Sequence, residues 1–98
     1  MSFRLAGLAW FSEMDYREVR AVMADAASLP ESYDTWLRGA ETSERDLREQ
    51  GHHPVRVAVV PADFLAWCDK RHERPDAQAR REYARSVVME IGEPPRGT

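Results

Sequence analysis

The chain has 98 residues, 43% of them hydrophobic and 32% charged, with a formal net charge of −3 and one cysteine. That makes one domain, 1–98, able to bury a core without metal or disulfide staples and too apolar for disorder. It excludes a disulfide scaffold and argues against a generic nucleic-acid binder, because phosphate contacts need clustered cations.

The apolar run from Leu5 to Phe11 is too short to span a bilayer, and no signal-peptide cleavage pattern follows it. With a single unpaired cysteine, a cytoplasmic protein without a membrane partner is expected. Thirteen of the fourteen cations are arginine, as a GC-rich bacterial genome would give.

Residues 1–13 fit two periods. Phe3, Leu5, Ala9 and Phe11 alternate as in a strand, while Phe3, Gly7, Trp10, Phe11 and Met14 fit helical spacing. Met14 is also a candidate start, which would make 1–13 a dispensable extension. Asp15 and Glu18 then form a capping box for a helix expected to end near Leu29. Pro30 stops it, and a second helix follows from about Glu31 to Gln50, closed by Gly51. Its stripe is Tyr33, Trp36, Leu37, Ala40 and Leu47, and Glu44 breaks it. An edge position with the carboxylate on Arg48 or in water accounts for Glu44; a partly buried acid with a raised pKa is the alternative.

His52-His53-Pro54 reads as a turn, and Val55–Val60 as a strand with both faces at least half apolar. Pro61 opens a third helix with the stripe Phe64, Leu65, Trp67 and Cys68, and Asp76 caps a fourth running to about Ile91. Residues 92–98 have the composition of a flexible tail. The expected fold is mainly α with one short β-strand, in the order helix-helix-strand-helix-helix. The strand is paired across a homodimer or with the N-terminal segment, and the dimer is preferred.

No catalytic constellation emerges: there is no phosphate loop, nucleophile elbow or zinc-protease helix. Cys68 and His72 are four apart on one helix, and with His52 and His53 they supply ligand types for zinc. Their spacing matches no zinc motif, and Cys68 sits mid-stripe as a small buried hydrophobe. No cofactor is expected. The best candidate surface is basic. Lys70, Arg71, His72 and Arg74 close the third helix, and Arg80, Arg81 and Arg85 line the fourth, with interleaved acids that make a solvated face the plainer reading.

From Pro54 to Ile91 the order strand, helix, helix resembles the ribbon-helix-helix class of DNA-binding dimers. That resemblance implies one strand from each subunit in the major groove, with Arg56, Ala58 and Val60 outward. Of these only Arg56 offers a base-edge hydrogen bond, and Asp76 replaces the small polar residues usual at the start of the last helix. Leu29-Pro30, Tyr33, Trp36-Leu37 and the run Asp63–Cys68 also resemble small uncharacterised bacterial proteins over residues 14–91. The leading expectation is a non-catalytic interaction or regulatory protein with a protein partner. The alternatives are a DNA-binding dimer using Arg56, Arg80, Arg81 and Arg85, and a metal-binding protein.

Overall fold

The computed structural model describes residues 4–92, with side chains through residue 90. Strand β1 (Arg4–Trp10) is followed by helix α1 (Tyr16–Val22), a single 3₁₀ turn (Ala26–Ser28) and helix α2 (Tyr33–Glu49). Strand β2 (His52–Ala58), helix α3 (Pro61–Lys70) and helix α4 (Ala77–Gly92) complete the order. The proposed tail, apart from Gly92, lies outside the described residues, as do Phe3 and the Ile91 side chain.

The expectation of one strand is wrong. Residues 4–10 form a second strand that pairs with β2 in parallel, Arg4 opposite His52 through Trp10 opposite Ala58. The reason is local supply. A valine-rich strand needs a partner for its backbone, and the run Leu5–Ala9 is an apolar segment of matching length. Parallel pairing needs a crossover of a dozen or more residues, which α1 and α2 provide. The strand therefore finds its partner in the N-terminal segment of its own chain and not across a homodimer, so residues 4–10 are part of the sheet. A chain starting at Met14 would lack β1 and Phe11, which is 2% exposed.

The β2 boundaries also shift. His52, His53 and Pro54 belong to the strand, while Val59 and Val60 lie past its end. The Val59 N–H donates to the Trp10 carbonyl at 2.9 Å, which fixes the parity of the ladder. Odd-numbered β2 residues turn their amides toward β1, and Pro54 falls on the outer edge, where no donor is needed.

Side chains alternate between two helical layers. Gly7 faces α4 so closely that a Cβ there would lie 2.7 Å from the Ala84 carbonyl oxygen and 2.9 Å from Val88 Cγ2. Val57, Ala84 and Val88 form the buried centre of that layer. Below it Phe11, Val19, Val59, Phe64 and Cys68 make the main core. On the opposite face α2 lies chiefly over β2.

The helix ends show where local signals held. Asp76 Oδ1 accepts the Ala79 N–H at 2.9 Å to start α4 as expected, whereas α2 starts at Tyr33 and not Glu31, with Ser32 Oγ accepting the Thr35 N–H at 3.1 Å. The Asp15 capping box does not form. Ser12 Oγ instead accepts the Asp15 N–H at 3.1 Å, and the Asp15 side chain makes no cap bond. Nor does α1 continue to Leu29. Met23 turns extended, and the Ala24 N–H donates to the Pro75 carbonyl at 2.8 Å, a tertiary bond that replaces the next helical one. Helix α3 ends with His72 in the left-handed region (φ 56°), its N–H on the Asp69 carbonyl and the Glu73 N–H on the Cys68 carbonyl. This is a Schellman close with histidine where glycine is usual.

Candidate interaction surface

Glu44 is the buried residue of the 17-residue α2, in a stripe whose apolar members Trp36, Leu37, Ala40 and Leu47 are only half-buried. Burying a carboxylate without partners is costly, so it must be paired. Its partner is Arg56, whose Nε and Nη2 donate to the two Glu44 oxygens at 2.8 and 2.9 Å. Arg48, the expected partner, is 4.0 Å away. The Arg56 guanidinium also lies 4.0 Å from the centre of the Trp10 ring. These hydrogen bonds hold the Glu44 carboxyl below the usual carboxylate range, against the opposing effect of its burial.

This ion pair seats α2 over β2 and leaves the same face of β1 partly uncovered. An open groove of about 410 Å³ results, with Leu8, Ala9 and Trp10 as one wall and Thr35, Trp36, Gly39, Ala40 and Ser43 as the other. Pro30 completes the lining. Trp10 and Trp36 meet edge to face at 5.3 Å, and Trp36 packs in turn on Phe11 at 4.8 Å and Tyr33 at 5.4 Å, so the aromatic end is rigidly backed. Gly39 is the unusual residue. A Cβ there would meet nothing within 4 Å. Mid-helix glycine costs roughly 0.5–1 kcal/mol relative to alanine, and no contact among the described residues requires it.

The four arginines proposed for nucleic acid separate into two kinds. Arg56 is engaged as above. Arg80 is buried, not part of an exposed face. Its two terminal nitrogens donate to Asp25 Oδ1 and Oδ2 at 2.8 Å each, joining α4 to the 3₁₀ turn. Those bonds hold the Asp25 carboxyl below its ordinary value. Arg81 and Arg85 are exposed on α4. Arg71 pairs with Glu73 at 2.7 Å and covers the Trp67 ring at 4.6 Å, so part of the expected basic cluster is also internally engaged.

Cys68 is 2% exposed, and burial pushes its thiol pKa up, the opposite of an activated nucleophile. His72 serves the end of α3. Among the described residues no three His, Cys, Asp or Glu side chains gather as metal ligands, and no helix is long and apolar enough to cross a membrane.

In the sequence Glu44 stands out of pattern and Arg56 is a candidate, but nothing there joins them. Gly39 is not among the residues expected to matter. The available signal was a glycine in mid-helix beside Thr35, Thr42 and Ser43, a stretch of small uncharged residues on an otherwise charged helix surface. No protein-family model, no curated protein and no solved structure matches the chain.

Proposed function

We propose that this is a non-catalytic interaction protein, working in the cytoplasm, that binds another protein in the groove between β1 and α2. The observation that carries the reading is Gly39. A residue that weakens its own helix, with open space around it, is useful if another backbone must approach α2 closely at that point. The half-buried stripe of α2 and the apolar wall of β1 support the same reading, since grooves of this kind take apolar anchors.

Gly39→Ala separates the two roles of the position. In the isolated protein it should raise stability by about 0.5–1 kcal/mol, because the added methyl meets no neighbour. It should also abolish capture of a partner that the wild-type protein retains from its native host. A Gly39→Ala protein that is more stable and captures the same partner equally well would remove the groove as the binding surface. DNA binding now has less support, because Arg80 is buried and both it and the half-exposed Arg56 are tied to carboxylates, which leaves Arg81 and Arg85 as the exposed arginines of the proposed four outside those two pairs.

A further inference from the structure

A second surface, away from the groove, carries an independent inference. Asp63, Ala66, Trp67 and Lys70 stand at i, i+3, i+4 and i+7 on α3 and therefore share one side of the helix. Together with Tyr83 of α4 they line an open cleft of about 410 Å³. Asp63, Ala66 and Lys70 are exposed and Trp67 is half-buried. Trp67 meets Tyr83 edge to face at 5.3 Å, and the exposed Arg71 guanidinium lies 4.6 Å from its ring centre. Asp63 and Lys70 are two turns apart, roughly 10 Å along the axis, so they mark opposite ends of the stripe with opposite charge.

That order of residues is complementary to its own reverse. Laid antiparallel against a second α3, Asp63 of one copy meets Lys70 of the other, and Lys70 of the first meets Asp63 of the second. Between these ends, Trp67 of each copy lies against Ala66 of the other, large against small. A two-fold axis through the middle of α3 satisfies both charged ends and both tryptophans at once, as an isologous contact requires. We propose that two copies of this chain associate through α3 in this antiparallel arrangement, with Asp63–Lys70 ion pairs at both ends of the contact.

A ten-residue helix is a short contact, in the size range below about 1,200 Å² that marks transient association. The dimer should therefore be concentration-dependent and weakened by salt. The β1–α2 groove shares no lining residue with this cleft, so each dimer would carry two such grooves.

The test is sedimentation equilibrium over a concentration series at low salt, on the full chain and on three charge variants. Asp63→Lys and Lys70→Asp should each weaken association by about tenfold or more, through like charges brought together at both ends. The double variant Asp63→Lys/Lys70→Asp should restore it, since the pairs are reformed with their signs exchanged. Lys70 is the chain's one lysine, so carbodiimide treatment of the wild-type protein should give a covalent dimer joined between Asp63 and Lys70. That result does not depend on any variant folding. A wild-type protein that stays monomeric throughout the series overturns the proposal. So does a dimer indifferent to both reversals, or one that the double exchange fails to restore.

Discussion

Two ion pairs of nearly the same geometry hold this fold, and they differ in which member is buried. Arg80 meets Asp25 through two bonds of 2.8 Å, and Arg56 meets Glu44 through bonds of 2.8 and 2.9 Å. In the first pair the guanidinium side chain is 10% exposed and the carboxylate 21%; in the second the carboxylate is 11% exposed and the guanidinium 49%. Distances alone would rank the pairs equal. What a broken pair leaves behind decides its worth, because an orphaned buried charge bears its full desolvation cost and an exposed one turns to water.

The comparison is broken most forcefully at Asp25. Asp25→Ala strands a buried Arg80 and should cost about 2–4 kcal/mol in urea unfolding; a loss as small as that of a surface pair would mean Arg80 reaches solvent unaided. The second pair should show an asymmetry. Arg56→Ala leaves a buried carboxylate with only Arg48 nearby, at 4.0 Å, and should destabilise more than Glu44→Ala, which leaves a guanidinium already half in water. Equal losses from the two variants would contradict the burial argument.

Acid sharpens the same contrast. Both carboxylates have pKa values lowered by their arginines, so the stability they contribute is complete above the ordinary carboxylate range. It is lost as the pH falls below about 4 and through the folded-state values. Urea midpoints measured between about pH 7 and pH 2 should fall less steeply in an Asp25→Asn/Glu44→Gln protein than in the wild type. Parallel curves would show that neither carboxylate is held in its charged form by the fold.

The legible parts of this chain are those set within one element. Pro61 and Asp76 mark the starts of α3 and α4, and Gly51 follows the close of α2. Residues 4–10 were ambiguous because an apolar run broken by one glycine fits either period. The choice was made by β2, more than forty residues later. Arg80 could not be told from Arg81 by sequence, because its burial depends on Asp25, fifty-five residues away, arriving where α1 gives way to a 3₁₀ turn. The groove was hidden for the same reason. Its two walls are separated by α1 and meet only once β1 is known to be a strand.

Amide hydrogen exchange resolved by residue tests the central claim, that β1 pairs in parallel with β2 and leaves a groove beside α2. The register requires inward amides at Ala6, Leu8 and Trp10 of β1 and at Val55, Val57 and Val59 of β2, while Arg56 and Ala58 point to the outer edge. The six inward amides should exchange at least about tenfold more slowly than those of Arg56 and Ala58. Protection at Arg56 and Ala58 with free exchange across β1 would place the partner of β2 on its other edge, and the groove would not exist.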